Sequence, residues 1–247
     1  MRILLTNDDG IQARGIQILK DHLSAHHEVW VVAPDSEKSA TSHSISLRSP
    51  LWAKQLGPRE FSVSGTPVDS VFIALNYIFK DKPDLIISGI NHGANMGEDV
   101  FYSGTVGAAL EGAFRGVKSI AISCVDPRDD HYFLPILPFI DIIIPRFIHL
   151  KNAKIINVNY SGYPFEKLLG IRYTHLGKRY YKDELVHRYN EDGDLYFTIG
   201  GEGPFWDGDP EADFYTTQQG YVSITPLMLT LTDQKILQAL KKETTHP

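Results

Sequence analysis

Two aspartates stand side by side at the end of the first apolar run of the chain. Ile3 to Thr6 is short and apolar, which is typical of a buried strand, and Asp8 and Asp9 follow it closely. Adjacent carboxylates repel each other, and a hard cation such as Mg²⁺ or Mn²⁺ relieves that repulsion while gaining oxygen ligands. The alternative is a solvated turn in which one aspartate caps the next helix.

Two neutral oxygen ligands follow two other predicted strands. Val29 to Ala33 leads into a loop that contains Ser39, and Leu85 to Ser88 leads to Asn91. Taken singly, each residue also has a simpler explanation as a cap or turn residue. Ligands of open α/β sheets bind beyond the carboxyl ends of the strands, so both side chains are expected beside the aspartates. The predicted metal ligands are Asp8, Asp9, Ser39 and Asn91, of which Asp8, Asp9 and Asn91 are also the predicted catalytic residues.

The residues Ser103, Gly104 and Thr105 precede an alanine-rich helical pattern. The free N–H groups and the positive dipole end of such a helix start suit a phosphate, although an N-cap by one of the hydroxyl side chains explains the same residues. Together with the aspartate pair, they predict phosphoryl chemistry. The candidate substrate contacts nearby are His43, Asn95 and Tyr102, of which Tyr102 either stacks on a base or belongs to the core.

These residues need a sheet that brings the ends of several strands together, and the chain predicts one. Short apolar runs, each too short for a helix, alternate with helical patterns through the first 160 residues. Repeated βα units predict a doubly wound, Rossmann-like α/β fold with a mostly parallel sheet. The further predicted strands are Ile120 to Cys124 and Ile155 to Val158, and the predicted helices are Gly15 to Ser24, Val68 to Phe79, Thr105 to Arg115 and Pro135 to Leu150.

The character of the chain changes after about residue 160. Tyr180 to Tyr189 and Leu195 to Ile199 flank a turn sequence and predict an antiparallel hairpin. Gly200 to Phe214, rich in glycine, proline and acid, predicts a loop. Tyr221 to Thr225 predicts a strand, and Asp233 to Lys242 predicts an amphipathic helix. We therefore expect a single domain over residues 1–247, with the core sheet in 1–160 and a hairpin and C-terminal arm in 161–247.

Composition and charge disfavour several classes of protein. A formal net charge of −6 disfavours a protein that grips long nucleic acid through its phosphates. The single cysteine, Cys124, excludes an internal disulfide and a cysteine-rich zinc site, and it fits a reducing compartment. We find no apolar run of about 18 residues and no leader-like N-terminus, so we expect a cytoplasmic protein without a membrane span.

Several segments carry a family resemblance: MRILLTNDDGI, VVAPDSEKSATSHSIS, VSGTPVDSV, DLIISGINHGANMG, YSGTVGAALEGA, SIAIS and GYVSITPL. Together they resemble the survival protein SurE family of metal-dependent nucleotidases. The resemblance implies that Asp8, Asp9, Ser39 and Asn91 hold one divalent ion per subunit, Mg²⁺, Mn²⁺ or Co²⁺, with the SGTV stretch beside the phosphate. It also implies hydrolysis of nucleoside 5′- and 3′-monophosphates, hydrolysis of short polyphosphate by some members, and homodimers or homotetramers formed by exchange of C-terminal elements.

Two alternatives assign different chemistry to the aspartates. In a haloacid dehalogenase-type phosphatase Asp8 would be a covalent nucleophile, but those enzymes carry a DxD motif rather than adjacent aspartates. A non-enzymatic, receiver-like signalling domain also holds Mg²⁺ with an acidic pair after its first strand. That domain needs a phosphorylatable aspartate at the end of the third strand, where this chain has Asn91. The leading prediction is a phosphomonoesterase in which a metal-activated water attacks phosphorus.

Overall fold

The computed structural model describes residues 1–206 and 208–243, and at positions 130, 181–184, 199–204 and 243 it describes the backbone alone. Its strands are β1 (Arg2–Thr6), β2 (Glu28–Pro34), β3 (Ala53–Gly57), β4 (Glu60–Val63), β5 (Leu85–His92), β6 (Lys118–Cys124), β7 (Ile155–Tyr160), β8 (Ile171–Tyr173), β9 (Arg179–Tyr189), β10 (Leu195–Trp206) and β11 (Val222–Pro226). Its α-helices are α1 (Arg14–Ser24), α2 (Pro67–Ile73), α3 (Gly104–Phe114), α4 (Leu137–His149), α5 (Asp213–Gln218) and α6 (Gln234–Glu243). Three short 3₁₀ segments, Gly97–Phe101, Asp130–Ile136 and Phe165–Lys167, and a π-helical turn, Ala74–Ile78, complete the helical structure of these residues.

A nine-stranded sheet runs in the order β3-β4-β2-β1-β5-β6-β7-β11-β8. β1 pairs in parallel with β2 on one side and with β5 on the other, and β6 and β7 continue the parallel series beyond β5. The prediction of a doubly wound, mostly parallel α/β sheet is therefore confirmed. The order of the strands reverses at β1, and such a switch point opens a crevice at the carboxyl ends of the strands.

Alternation along the buried strands sends side chains to both faces of the sheet, and helices cover each face. In β1, Ile3 and Leu5 join the core beneath α1 and α4, whereas Leu4 joins the core beneath α2 and α3. Burial on both faces explains why the central strands read as continuous apolar runs. The loops after β1, β2 and β5 are therefore anchored to rigid elements.

One helical stretch, His131–His149, is long and apolar enough by length and composition to cross a membrane. Its apolar side chains, among them Ile140, Ile143 and Phe147, instead pack in the core that lies against the sheet. Asp141 and Arg146 lie on its exposed side. Packing against the sheet thus accounts for the apolar composition of this stretch.

Several elements differ from the sequence-based prediction. The loop predicted for Gly200 to Phe214 was wrong in part, because β10 continues to Trp206 by pairing with β9 and α5 begins at Asp213. The register of the β9–β10 pairing shifts between Glu202 and Phe205, which accommodates the glycine and proline in this part of β10. β9 and β10 form the predicted hairpin as a separate two-stranded sheet, while β8 and β11 extend the main sheet beyond residue 160.

Candidate active site

Asp8 lies at the carboxyl end of β1 and is 4% exposed. Its carboxylate accepts hydrogen bonds from the backbone N–H of Thr105, at 3.1 Å, and from the hydroxyl of the same residue. Burial raises the pKa of Asp8 above its ordinary value, and the hydrogen bonds from Thr105 oppose that rise. Asp8 is thus a desolvated carboxylate held in one orientation by the first turn of α3.

Asp9 faces a cleft at the same edge of the sheet and remains partly exposed. Its Oδ2 accepts a hydrogen bond from the backbone N–H of His92 at 3.2 Å, which ties the end of β1 to the end of β5. Burial and, secondly, the negative charge of Asp8 raise the pKa of the Asp9 carboxyl to about 6. The two aspartates therefore form a site at which a cation relieves both desolvation and mutual repulsion.

Ser39 and Glu37 approach this cleft from the loop after β2. The cleft has a volume of about 310 Å³, and Asp9, Glu37, Ser39 and His92 are among its lining residues. The Ser39 hydroxyl donates to a Glu37 carboxylate oxygen at 2.8 Å. Glu37 also adds negative potential that raises the pKa values of both aspartates. Sequence reasoning overlooked Glu37, whose only signal was a third carboxylate two positions before Ser39.

Asn91 lies near the carboxyl end of β5, beside the aspartate loop. Its Nδ2 donates to the carbonyl oxygen of Gly93 at 2.8 Å, so its Oδ1 is the atom suited to bind a cation. The pairing of β5 with β6 shifts register between Ser88 and Asn91. Gly89 permits this irregularity, because its φ is +139° and a Cβ there would lie 2.3 Å from the carbonyl oxygen of Ile122.

Ser103, Gly104 and Thr105 form the start of α3, as predicted from the sequence. The Ser103 hydroxyl accepts from the backbone N–H of Val106 at 3.0 Å and caps the helix. Gly104 has to be small, since a Cβ there would lie 3.0 Å from the Cβ and Oδ2 of Asp8. Thr105 is fully buried and directs both of its donors at Asp8. This contact over 97 positions of sequence was not visible in the chain.

His43 contacts α3 from the loop after β2. Its Nε2 lies 3.1 Å from a Glu111 carboxylate oxygen, and its ring stacks on Phe114 with a centroid distance of 5.5 Å. The structure thus places the His43 ring against the side of α3. The neighbouring Ser42 donates its backbone N–H to the Tyr102 carbonyl at 3.1 Å, so this loop is fixed at two points of the α3 region.

Asn95 and Tyr102 occupy different environments. Asn95 is 6% exposed, its side chain donates to the Ser123 hydroxyl at 2.8 Å, and its carbonyl accepts from the amides of Asn157 and Asn159 on β7. It anchors the loop after β5 to the neighbouring strands. Tyr102 is 67% exposed at the end of the 3₁₀ segment that precedes Ser103, and its ring is available to a ligand at the start of α3.

Asp213 binds the far end of the loop that follows β5. The sequence did not predict this role. It is fully buried at the start of α5 and accepts from the backbone N–H groups of Gly97, at 2.9 Å, and Gly177, at 3.0 Å. Because Gly97 ends the segment that begins at Asn91, this carboxylate connects the C-terminal part of the chain to the cleft.

The donor set at the cleft fits a hard divalent cation. Within the described ranges, no three or more His, Cys, Asp or Glu side chains are grouped so as to hold a metal. Asp9 and Ser39 line the cleft, and Asp8 and Asn91 lie beside it at the carboxyl ends of the neighbouring strands β1 and β5. Two carboxylates that burial penalises in their charged form and two neutral oxygens therefore lie at one edge of the sheet. Oxygen-only ligands are typical of Mg²⁺ and Mn²⁺ sites rather than of sites for softer metals.

Comparison with known proteins gives a consistent result along the whole chain. Residues 3–183 match the family model described as survival protein SurE. The chain is similar to the 5′-nucleotidase SurE of Fervidobacterium nodosum, 44% identical over 98% of this chain and 96% of that protein, and to that of Vibrio cholerae, 41% identical over 97% and 96%. Its fold is similar to the crystal structure of the SurE protein from Aquifex aeolicus, with a TM-score of 0.87 and 35% identity over 98% of this chain and 99% of that one. This chain therefore belongs to the survival protein SurE family.

Proposed function

We propose that this protein is a 5′-nucleotidase that hydrolyses nucleoside monophosphates to nucleoside and phosphate at the cleft beside Asp8 and Asp9. Family membership supports the reaction, since relatives more than 40% identical over nearly their full length are named 5′-nucleotidases. The observation that carries the assignment is the pair of adjacent, desolvated carboxylates at the switch point of the sheet. The resemblance extends the proposal to nucleoside 3′-monophosphates and short polyphosphate.

The proposed cofactor is one divalent ion per subunit, Mg²⁺, Mn²⁺ or Co²⁺, held by Asp8, Asp9, Ser39 and Asn91. When bound, such an ion polarises a phosphoryl oxygen and lowers the pKa of a water molecule. Asp8 and Asp9 supply negative charge that orients the attacking water, and Asn91 contributes a neutral oxygen. Thr105 keeps Asp8 in place through two hydrogen bonds. We therefore assign Asp8, Asp9 and Asn91 as the catalytic residues.

The phosphate of the substrate is assigned to the start of α3. The dipole of this helix directs its positive end toward the aspartates, which favours an anion there. Ser103 is the N-cap and Gly104 is the first residue of α3, whereas the donors of Thr105 are already directed at Asp8. Of the three candidate substrate contacts, Tyr102 is the most exposed, and His43 and Asn95 support the two loops that border the cleft.

Phosphate release tests this function. With Mn²⁺, Mg²⁺ or Co²⁺ present, 5′-AMP should give adenosine and phosphate in equal amounts, 3′-AMP should react by the same chemistry, and tripolyphosphate tests the extension to polyphosphate. The reason is that the metal ion and the start of α3 together stabilise charge on the phosphoryl group during its transfer. Absence of phosphate release from 5′-AMP in the presence of each of the three metals would contradict the proposal.

We also propose that the protein is located in the cytoplasm, which fits the buried thiol of its single cysteine, Cys124.

We expect a homodimer or homotetramer assembled through the C-terminal arm. The β9–β10 hairpin lies outside the main sheet, and Leu185, Tyr189 and Phe197 on it are each at least 55% exposed in one chain. A two-stranded hairpin is marginally stable alone, so a second chain is the natural cover for these side chains in a symmetric assembly. Light scattering at micromolar concentration should give twice or four times the monomer mass. Phe197→Asp should lower that mass, and a strictly monomeric wild type would contradict this arrangement.

A further inference from the structure

A second cavity opens beyond the carboxyl ends of β6 and β7. Its volume is about 450 Å³, within the range of small-molecule sites. Val125 and Ser161, which follow β6 and β7 directly, lie in its wall. Arg128 and Tyr163 come from the same two loops, and Trp206 comes from the end of β10. We call it the β6–β7 cavity. In a doubly wound sheet this position belongs to the same edge as the cleft at Asp9.

The cavity and the cleft are lined by residues that are close neighbours along the chain. The segment that begins with His92 at the cleft reaches the cavity at Met96. The consecutive residues Tyr132 and Phe133 line the cavity and the cleft, respectively. Because β5 and β6 are neighbouring strands, separated by about 4.8 Å, a ligand fixed at the end of β1 or β5 reaches the end of β6 by crossing one or two strand spacings. A nucleoside monophosphate is long enough to do this.

The wall of the cavity carries groups that suit a nucleoside. Tyr132, Tyr163 and Trp206 supply aromatic surface, and the Trp206 ring packs against Phe214 with a centroid distance of 3.7 Å. Aromatic rings bind any nucleobase through its π-face and therefore tolerate different bases. Arg128 adds hydrogen-bond donors at the rim, where its side chain is 71% exposed.

Ser161 supplies an independent indication of a ligand. The residue is 8% exposed, it lines the cavity, and its hydroxyl oxygen is buried without a hydrogen-bond partner among the residues that the structure describes. A buried hydroxyl that lacks a partner is unfavourable, and such groups are rare unless water, an ion or a ligand satisfies them. A ribose hydroxyl or a base edge in the cavity would supply that partner.

We propose that the β6–β7 cavity binds the base and ribose of the nucleotide substrate, with the base against Tyr163 and Trp206 and a polar atom of the nucleoside bonded to Ser161. This inference rests on the proposed nucleotidase function and adds to it the recognition of the nucleoside part. It also predicts that different bases are accepted, since the base contacts are stacking contacts rather than a set of fixed hydrogen-bond partners.

The test compares a substrate that has a base, 5′-AMP, with one that lacks it, ribose 5-phosphate. Tyr163→Ala should lower kcat/KM for 5′-AMP by about tenfold to a hundredfold, mainly through KM, because one aromatic platform contributes that much to base binding. Turnover of ribose 5-phosphate should change far less. Ser161→Ala should also weaken 5′-AMP binding, while its Tm should equal or exceed that of the wild type because an unpartnered hydroxyl is removed.

Trp52→Ala is the matched control. Trp52 is 74% exposed and lines a different cavity, beside β3 and β4. Loss of this ring should leave both substrates unaffected. Equal losses on both substrates in the Tyr163 variant, or unchanged 5′-AMP kinetics in both the Tyr163 and Ser161 variants, would overturn the proposal.

Calorimetry with adenosine separates this inference from the proposed function. Adenosine should bind the wild type and bind the Tyr163→Ala variant at least tenfold more weakly, whether or not phosphate is released. A wild type that binds adenosine but hydrolyses neither ester would contradict the nucleotidase function and retain the cavity assignment. A wild type that hydrolyses both esters but does not bind adenosine would contradict the cavity assignment alone.

Discussion

Chelation is expected to abolish phosphate release from 5′-AMP, and Mn²⁺, Mg²⁺ or Co²⁺ added after removal of the chelator is expected to restore it. Each proposed ligand from this chain is an oxygen atom, and two of the ligands are charged. Without a cation, the adjacent carboxylates of Asp8 and Asp9 repel both each other and the incoming phosphate dianion. Removal of the cation therefore leaves two uncompensated negative charges beside the phosphate of the substrate.

The control for chelation is the same chelator already saturated with Mg²⁺, which should leave the rate unchanged. Binding should also be visible without activity, because a ligand specific for the folded state at a hundred times its Kd stabilises that state by about 2.7 kcal/mol. Thermal unfolding should accordingly shift upward on addition of Mn²⁺ to the stripped protein. Full activity in a metal-stripped sample would remove metal-assisted hydrolysis from the proposed function.

The strands that position the candidate site could be predicted from the sequence because they are buried on both faces of the sheet. β1, β5, β6 and β7 are buried along most of their length and each contains a short apolar run, so local sequence and tertiary environment indicate the same element. The missed pair, β3 and β4, forms the edge of the sheet, and β3 is largely exposed and polar. An edge strand depends on its pairing partner more than on its own composition, and that partner is invisible in one local window.

The sequence predicts those residues of the candidate site whose positions depend only on the topology of the sheet. Asp8 and Asp9 follow β1, and Asn91 lies near the end of the neighbouring strand β5, so the sheet brings the three residues to the same edge. The contacts that refine their chemistry come from distant positions: Thr105 binds Asp8, and Glu111 holds His43. Such contacts depend on how α3 lies over the sheet, and no pattern in the loops themselves encodes it. Asn95 illustrates the same limit, since its polar partners lie on β6 and β7.

Asp8→Asn and Asp9→Asn are each expected to lower kcat/KM for 5′-AMP by a hundredfold to a thousandfold. Each substitution preserves the size of the side chain and one oxygen ligand but removes a negative charge, so metal affinity should weaken. Loss of one principal electrostatic element at a reacting centre typically costs about 3 to 4 kcal/mol in transition-state stabilisation. Ser39→Ala is the graded control, because water can replace a neutral hydroxyl ligand, and it should lose less.

Although the two aspartates are expected to support activity, they should lower the stability of the folded protein when metal is absent. The pKa of Asp9 is about 6 in the folded protein, above its ordinary value of 3.8, so the folded state binds more protons than the unfolded state between these pH values. The stability of metal-free wild type should therefore fall as pH rises from about 4 to about 6 and remain low above that range. At pH 7 the Asp9→Asn variant should unfold at a higher temperature than metal-free wild type, and the difference should shrink toward pH 4.

Metal titration by calorimetry, performed beside phosphate release on the three variants, distinguishes the roles that the aspartate pair can have. Ligands of the cation lose metal affinity and turnover together in both Asn variants. A covalent nucleophile at position 8 instead predicts that Asp8→Asn abolishes turnover while metal affinity persists, and that wild type forms a hydroxylamine-labile phosphoenzyme. A pair that only caps a turn predicts near-normal turnover in both variants. The buried carboxylate of Asp8 is held by Thr105 at the edge of the sheet where Asp9 and Asn91 also lie, and this arrangement favours the first outcome. Unchanged metal affinity in both Asn variants would contradict the metal site.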